Sequence, residues 1–526
     1  MADQGRAGSQ RGVVIAAMTL ANAMILVDQT AVPLALPNII RQLHVSAASV
    51  QWVMTASLLP LAGLLVLGGR LGDTRGRRRV FIVGAVLFGG ASAVGGLAPD
   101  FSLLLTARVV QGVGGALMLP ATVAIVSASV PPEDQGGALG LMGGVAAVAG
   151  ALGPTIGGVL TSAFSWRAVL LVNVPLLLLT LYLTLRSVPR DSEASAEAVS
   201  VDVPGALFLF LTLVGLVYGL SESQTHSFRG PIVLGPVIAA LVAGAVFVVR
   251  EQRAAQPVMS FDLLRAHRNY LGATLSQFIG GMTEMGLSVI FPLILILNLG
   301  MPPAKAGLAL IPTTIPMVIL APLVGRWYDR GGGRVPMMTG FASLAAAGVV
   351  LAVGVNSNSY PALLPGLLLY GIGLSIVLTV NDPVTLDSVP EADHGQAAGV
   401  SATAEQGGGA IGIAALFAVF HYTYVADLHD RINASPLPDL HTAGYEALRS
   451  AIIAAENTGL NIHHFPPQFV KYVLIAEKAA DRGYVVVFVA VAILSAAGVL
   501  VGRLVTQPDP PVRSAPPPRP IPEVEI

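Results

Sequence analysis

The chain has 526 residues, of which 54 % are hydrophobic and 11 % are charged, with 29 basic and 30 acidic side chains. Because a soluble protein usually carries about a quarter charged residues, this composition excludes an ordinary water-soluble enzyme and a disordered protein. The formal net charge of −1 argues against a nucleic-acid partner, and the absence of cysteine excludes disulfides and thiolate metal sites. The composition therefore predicts a polytopic membrane protein.

Fourteen apolar stretches are long enough to cross a bilayer as helices, which takes about 20 residues each. The first stretch is longer than the apolar region of a signal peptide and is expected to be retained. The candidate spans lie near residues 13–38, 49–68, 80–97, 103–129, 137–162, 168–186, 205–221, 231–249, 270–297, 306–325, 336–355, 362–381, 397–420 and 484–504.

The distribution of Lys and Arg predicts the orientation of these spans. With the N-terminus inside, 19 of the 29 basic residues fall in inner segments and nine fall outside, five of them in the long segment 421–483. Cytoplasmic loops carry an excess of basic residues, and long loops are discounted. We therefore expect a multi-pass protein of the plasma membrane, embedded in the lipid bilayer, with both termini cytoplasmic.

Two motifs recur in the second half of the chain. The loop pattern Gly69-x-Leu71-x-Asp73-x-x-Gly76-Arg77-Arg78 returns 256 positions later, from Gly325 to Arg334, and the helical pattern Gly112-x-Gly114 returns 259 positions later. The recurrence predicts an all-α integral membrane protein with two six-helix bundles, at 13–186 and 268–505, related by pseudo-symmetry. Two additional helices lie between them, within 204–250. Repeated bundles of this kind form transporters whose site lies at the repeat interface.

Four segments complete the predicted organisation. They are a cytoplasmic N-terminus (1–12), a cytoplasmic link (187–203), an outer helical-hairpin loop (421–483) and a disordered, Pro-rich cytoplasmic tail (506–526). Within the outer loop, Ala443–Asn457 and Pro467–Ala480 are predicted as short amphipathic helices. We expect this hairpin to cap the outer mouth, with substrate gating or partner docking as the alternative.

Several ordered motifs resemble the major facilitator superfamily, specifically its fourteen-helix drug:proton antiporter branch, the relatives of the quaternary-ammonium exporters. The resemblance covers roughly residues 12–505. It rests on the loop Gly69–Arg79, on Asp28-Gln29-Thr30 in helix 1, on Arg108-Val109-Val110-Gln111-Gly112-x-Gly114 in helix 4, on Gly153-Pro154-x-x-Gly157-Gly158 in helix 5 and on Asn173-Val174-Pro175 after it. The sequence departs from the branch at Glu405, where an Arg is more usual.

Three charged residues inside spans are the candidates for proton coupling, because a charge near the bilayer centre costs on the order of 3 kcal/mol and marks a pathway. Asp28 lies roughly 22 Å along helix 1, and desolvation favours a neutral carboxyl group. Asp28 is therefore predicted as a proton carrier, with a structural ion pair as the alternative. Arg108 stays protonated when buried; the resemblance implies a coupling role, against a purely structural one. Glu284, near the middle of helix 9, suits a second proton or a cationic drug.

Two further acids and four aromatics are secondary candidates for the substrate site. Asp382 and Glu405 lie within helices 12 and 13, with a helix kink and a water-satisfied carboxylate as the alternative. The aromatic rings can offer faces to a cation, although packing or lipid contact is the alternative for each. They are Trp52, Phe278, Phe291 and Tyr370.

Two motifs are predicted to serve gating and sealing. The basic residues of the repeated loop anchor it in the cytoplasm, while Asp73 can cap a helix N-terminus of the other bundle as a latch. The residues of this gating loop are Gly69, Asp73, Gly76, Arg77 and Arg78, with Asp329 and Arg334 in the second copy. The small residues Gly153, Gly157 and Gly158 permit close helix packing and Pro154 a kink. The resemblance implies that this motif seals against proton leak.

These patterns predict a non-enzymatic, proton-coupled antiporter that exports hydrophobic, cationic drugs or toxic compounds by alternating access. A dedicated exporter of one natural product, such as an antibiotic made by its host, is the alternative within transport. A membrane receptor or lipid-handling scaffold is the alternative from another class. No Gly-rich ATP-binding loop and no metal-ligand spacing is present, so we expect the proton gradient as energy source, no cofactor, no metal and a monomer.

Overall fold

The computed structural model describes residues 2–191, 202–224, 226–254, 257–390, 393–434 and 470–505. Within this part of the chain the regular structure is helical, without strands. Fourteen helices are long and apolar enough to cross a membrane. The predicted all-α fold with fourteen spans is therefore confirmed.

The spans are numbered 1 to 14 in chain order. Because their number is even, both ends of the described chain lie on one side of the bundle, the terminal side. The spans are Arg11–Leu43, Trp52–Arg75, Arg77–Gly96, Phe101–Ser129, Gly137–Ala163, Trp166–Ser187, Val203–Glu222, Pro231–Glu251, Arg268–Asn298, Pro303–Gly331, Arg334–Ser357, Tyr360–Asp387, His394–Arg431 and Leu474–Arg503.

Several helices extend beyond or are interrupted within these spans. The first helix, Ala2–Ala31, includes most of the segment 1–12 that was predicted as a cytoplasmic N-terminus. The 3-10 turn Val32–Ala35 separates this helix from Leu36–Leu43. The turn contains Pro33, whose nitrogen cannot donate a helical hydrogen bond. Span 9 ends in the π-helical turn Ile294–Asn298.

The ends of the predicted outer loop 421–483 continue the neighbouring helices. Span 13 belongs to the helix His394–Asn433 and span 14 to the helix Val470–Val505. No Gly or Pro interrupts residues 413–433 or 470–482, so nothing in the local sequence ends either helix at the predicted position. The predicted helix Ala443–Asn457, the tail 506–526 and most of the link 187–203 lie outside the described residues.

The same close helix contacts occur in spans 1–6 and in spans 9–14. Gly112 of span 4 lies against the backbone carbonyl of Ser57 in span 2, and Gly371 of span 12 lies against that of Thr313 in span 10. A side chain at either glycine would collide with the facing backbone. Gly76 and Gly332, which follow spans 2 and 10, both have a positive φ, of 99° and 72°. Small residues thus set the same interhelical approach in both halves.

Spans 7 and 8 lie beside the junction of the halves. Span 7 faces span 2 at Gly63, which approaches Phe210, and span 13 at Gly407, which approaches Leu213. Span 8 packs on span 7, where Gly215 lies against Ala240 and the neighbouring backbone. The additional helix pair therefore touches both six-helix halves.

Spans 5 and 10 bring the halves together near the end away from the chain termini. Gly158 lies against the carbonyl of Pro303, and Gly307 against that of Pro154. The backbone N–H of Ala304 donates to Ser162 Oγ at 2.9 Å. These backbone-to-backbone approaches close that side of the interface.

Candidate functional site

A buried polar cluster in the first half surrounds Asp28. The side chain of Asp28 is 4 % exposed, and that of Arg108 is fully buried. Arg108 Nη1 donates to Asp28 Oδ2 at 2.6 Å. The structure thus brings together two of the residues that were predicted to take part in proton coupling, and it does so as an ion pair.

Two amides complete the surroundings of this carboxylate. Gln111 Nε2 and Asn173 Nδ2 donate to Asp28 Oδ1 at 2.9 and 3.0 Å. Asn173 also donates to Ser92 Oγ at 3.0 Å, and Ser92 in turn donates to the backbone carbonyl of Leu170. Asp28 therefore accepts three hydrogen bonds, one of them from a cation, and such bonds stabilise a buried carboxylate.

The guanidinium of Arg108 is held as firmly as the carboxylate. Its Nε donates to the carbonyl of Val53 at 2.8 Å, and its Nη2 to Ser57 Oγ at 2.7 Å. Its Nη1 also donates to Gln111 Oε1 at 2.7 Å. Because spans 2 and 4 approach closely at Gly112, the guanidinium group of Arg108 can reach the backbone of span 2.

The predicted site did not include Gln111, Asn173, Ser92 or Ser57. Gln111 and Asn173 entered only as members of motifs. A polar side chain in a long apolar span is itself a signal of a buried partner. That signal does not identify the partner, because these residues come from spans 2, 3, 4 and 6.

Three acidic side chains of the second half form another cluster. Glu284 in span 9 and Glu405 in span 13 are partly buried, and Asp382 in span 12 is exposed. Glu405 lies within electrostatic range of both other carboxylates. None of the ion pairs in the described part of the chain involves one of these three acids.

The two partly buried acids differ in their partners. Glu405 Oε2 accepts a hydrogen bond from Gln277 Nε2 at 2.5 Å. Glu284 Oε2 is buried and has no hydrogen-bond partner among the described residues. Such an oxygen is satisfied by a proton on its own carboxyl group, by a cation or by water. The cluster can therefore accept positive charge.

Glycines bring the two acid-bearing spans together. Gly281 of span 9 lies against the backbone carbonyl of Glu405, and Gly412 of span 13 lies against that of Met282. Backbones that approach this closely leave the acidic side chains at the edge of the contact. The position of Glu284 relative to Glu405 is thus fixed by helix packing.

A hydrogen bond between the halves lies next to both clusters. Gln29 Nε2 in span 1 donates to Gln406 Oε1 in span 13 at 3.0 Å, and both side chains are buried. Gln29 follows Asp28 in the chain, and Gln406 follows Glu405. Successive helical residues point about 100° apart, so each carboxyl group can face its own half while the neighbouring amide faces the other.

Three of the four aromatic candidates make ring contacts. The rings of Phe291 and Tyr370 meet edge to face at 5.2 Å, and Trp52 lies 6.1 Å from Tyr218 of span 7. These ring contacts correspond to the packing alternative. For Phe278, the backbone carbonyl lies against Gly408. In the described chain, the cation–π contact involves Arg167 and Trp166, at 4.4 Å.

The first copy of the repeated loop is held by a residue of the predicted link. Asp73 pairs with Arg77 four residues later, at 3.1 Å, so it does not cap a helix of the other bundle. Asp191 caps the start of span 3 within its own half, since its two carboxylate oxygens accept from the backbone N–H groups of Arg78 and Arg79 at 3.1 and 3.0 Å. In the second copy, Asp329 and Arg334 form no ion pair within the described residues.

The glycine motif of span 5 has two partner spans. Gly153 lies against the hydroxyl of Thr30 and Gly157 against the carbonyl of Ala31, both at the end of the first helix. Gly158, on another face, meets span 10 at Pro303. The motif thus packs beside the Asp28 cluster and also closes the interface between the halves. Within the described residues, no group of three or more His, Cys, Asp or Glu is placed to hold a metal ion.

Comparison with known proteins agrees with this architecture. A family model described as Major Facilitator Superfamily matches residues 18–413. The lincomycin resistance protein of Streptomyces lincolnensis is 33 % identical over 420 residues, which cover 78 % of this chain and 85 % of that protein. The multidrug resistance protein Stp of Mycobacterium tuberculosis is 30 % identical over 481 residues, which cover 89 % of each chain.

Solved structures share the fold. A bacterial homologue of the human lysosomal transporter Spinster, in an inward-facing and unoccupied conformation, superposes with a TM-score of 0.64. The match covers 94 % of this chain and 97 % of that chain, at 16 % sequence identity. At this identity the likeness concerns the fold alone.

Proposed function

This chain belongs to the Major Facilitator Superfamily, and we propose that it exports hydrophobic, cationic drugs or toxic compounds in exchange for protons. In this proposal both termini are cytoplasmic, the protein acts as a monomer without cofactor, and it is a transporter rather than an enzyme. The proton gradient supplies the energy. The relative Stp, named a multidrug resistance protein, supports export of this kind.

The unbalanced acidic cluster of the second half carries the proposal. Glu284, Glu405 and Asp382 come from three different spans, and no described ion pair neutralises them. A lipophilic cation or protons can satisfy the unpartnered oxygen of Glu284. Since both ligands neutralise the same carboxylates, they compete, and competition couples the two fluxes.

The Asp28–Arg108 cluster is proposed to report the proton to the rest of the molecule. A proton on Asp28 neutralises the carboxylate and frees Arg108 Nη1 from its strongest partner. Span 1 also carries Gln29, which bonds the opposite half. Rearrangement of span 1 can therefore disturb the contact between the halves, as alternating access requires.

A dedicated exporter of one natural product is the second candidate. The relative named a lincomycin resistance protein favours it, because that name refers to a single antibiotic. The two candidates share the fold and the acidic cluster. They differ in the breadth of the substrates that the cluster accepts, which a substrate panel measures.

The test uses purified protein in liposomes with an acidic interior and a fluorescent lipophilic cation outside. We expect accumulation of the cation that stops when nigericin collapses the pH gradient. Asp28→Asn is expected to abolish accumulation, and Glu284→Gln to reduce it strongly. The exposed carboxylate Asp262 provides a matched control, since Asp262→Asn is expected to leave transport unchanged.

Two results would contradict the proposal. Well-folded wild-type protein that moves no cation would exclude the cationic-drug function and leave the panel of neutral and anionic natural products. Full activity of Asp28→Asn would remove Asp28 from proton coupling.

A further inference from the structure

Two buried carboxyl groups meet at the base of the additional helix pair. Asp202 precedes span 7 as its N-cap, and Glu251 is the last residue of span 8. The side chain of Asp202 is 5 % exposed, and Glu251 is 3 % exposed. Both lie at the terminal side, apart from the two clusters described above.

Each carboxyl group uses one oxygen for its hydrogen bonds. Asp202 Oδ1 accepts from the N–H of Gly205 at 3.0 Å and forms a 2.8 Å ion pair with Arg250 Nη2. Glu251 Oε2 accepts from the N–H of Met259 at 2.8 Å. The remaining oxygens, Asp202 Oδ2 and Glu251 Oε1, are buried without a partner among the described residues.

The two unpartnered oxygens border the same position. A methyl group placed on Gly205 would collide with both of them. The charged groups facing Glu251 are Asp202 from the start of span 7 and Arg250 from span 8, while the segment after span 8 contributes backbone N–H groups. One guanidinium against two carboxylates leaves one negative charge uncompensated.

We propose that Asp202 and Glu251 form a proton-binding site in which one proton bridges Asp202 Oδ2 and Glu251 Oε1. The proton comes from water on the terminal side, forms an O–H bond with one carboxylate and is accepted by the other. Facing carboxylates share a proton in this way because both cannot remain ionised at short distance without strong repulsion. The site is separate from the proposed transport pathway.

The proton fastens a segment that touches both halves. This segment, residues 257–266, is called the strap. The Pro257 carbonyl accepts from Arg70 Nη2 of span 2 at 3.3 Å and from Gln396 Nε2 of span 13 at 3.1 Å. Two residues later, Met259 is held by Glu251. Loss of the shared proton makes the two carboxylates repel each other. The repulsion moves Glu251, together with the strap that it holds at Met259, away from Asp202 and loosens this joint between the halves.

The absence of cysteine from the chain allows a direct test in the full-length protein. Val258, which is 6 % exposed, is replaced by Cys, and the rate of maleimide labelling is measured over a range of pH. The same reporter is placed in a Glu251→Gln background. The new amide keeps an acceptor for the N–H of Met259 and supplies an N–H to Asp202, so this variant imitates the protonated pair at every pH.

The ratio of the two labelling rates cancels the intrinsic pH dependence of the thiol. The ratio is the labelling rate in the otherwise wild-type chain divided by the rate in the Glu251→Gln background. We expect it to be near one in acid and to rise by about tenfold in alkali, because loss of the proton removes the hydrogen bond between the two carboxyl groups, which is a bond to a charged group. Asp262→Asn, which removes an exposed carboxylate of the strap, is expected to leave this rise unchanged. Gly205→Ala is expected to give fast labelling at all pH values.

Infrared spectroscopy provides a second readout that does not depend on the reporter. We expect the wild-type protein to show the carbonyl band of a protonated carboxyl group, and we expect this band to disappear in Glu251→Gln. A labelling ratio that stays flat with pH, together with no lost band, would overturn the proposal. Labelling that responds to added Na⁺ or Mg²⁺ instead of pH would also overturn it, because the pair would then hold a metal cation.

Discussion

Asp28 and Glu284 occupy equivalent places in the two halves of the molecule, yet their surroundings are opposite. Glu284 follows Asp28 by 256 positions, the same offset as the repeated loop. Asp28 accepts three hydrogen bonds and pairs with Arg108, whereas Glu284 has a buried oxygen without a partner in the described chain. Both halves therefore carry a carboxyl group at this position, but within the described residues only the carboxyl group of the first half has a counter-ion.

The missing partners can be traced to individual substitutions. With the 259-residue offset of helix 4, Leu367 takes the place of Arg108, and Tyr370 that of Gln111. Leu367 is 1 % exposed and lines a small apolar cavity together with Phe291 and Phe488. In the first half this region holds a polar network. In the second half, aromatic and aliphatic side chains occupy the corresponding region.

The difference between Asp28 and Glu284 shows that equivalent positions in the two halves can have different roles. A carboxylate in a closed network with an arginine has its charge balanced by that cation, so a proton that binds it must displace the arginine. A carboxyl group among apolar residues and other acids gains from any positive charge that approaches. The effect of substitutions on the stability of each half tests this difference.

Arg108→Ala is expected to have the largest effect. It leaves Asp28 buried without its cation, and breaking a buried pair in this way costs about 3–5 kcal/mol. Thermal unfolding in detergent measures the loss, and Arg108→Lys is not expected to restore stability, because Lys lacks the planar fork that four acceptors require. Stability within about 1 kcal/mol of wild type would show that the pair does not hold the first half together.

Gly157→Ala and Gly412→Ala test whether the two halves pack alike. Each added methyl meets a backbone carbonyl, of Ala31 and Met282 respectively, and overpacking costs about 1–3 kcal/mol. Equal losses would support equivalent helix interfaces. The control is Gly143→Ala, where no atom lies within 4 Å; it is expected to be neutral or to stabilise the helix by up to about 1 kcal/mol.

Gln29→Leu and Gln406→Leu probe the contact between the halves. Each single change leaves a buried amide unpaired and is expected to cost about 1 kcal/mol. The double variant is expected to cost less than the sum, because neither amide then remains unsatisfied. Strict additivity in unfolding experiments would indicate that the amide pair contributes no coupling between the halves.

Glu284→Gln is expected to change stability least, by less than about 0.5 kcal/mol, as for residues without specific partners. The same variant is expected to lower transport of a lipophilic cation by about tenfold or more, the effect of about 1.4 kcal/mol of lost interaction. Asp28→Asn provides the comparison, since it is expected to lower both stability and transport. A strongly destabilised Glu284→Gln would mean that the second half also holds its acid in a structural network.

The sequence by itself determined the number of spans, the helical class, the duplication and the positions of the membrane-embedded charges. These follow from local properties, since an apolar run of sufficient length must be helical in lipid and a charge within it stands out. The offset of 256 positions also relates Asp28 to Glu284.

The tertiary structure decided which charge meets which partner. Sequence distance gives no information on whether Asn173 reaches Asp28, whether Asp191 caps span 3, or whether Gln29 meets Gln406. These contacts depend on the rotation and spacing of helices, which glycines such as Gly112 set through close backbone approach. A hydrogen bond forms over about 3 Å, and that precision arises only when the spans have packed.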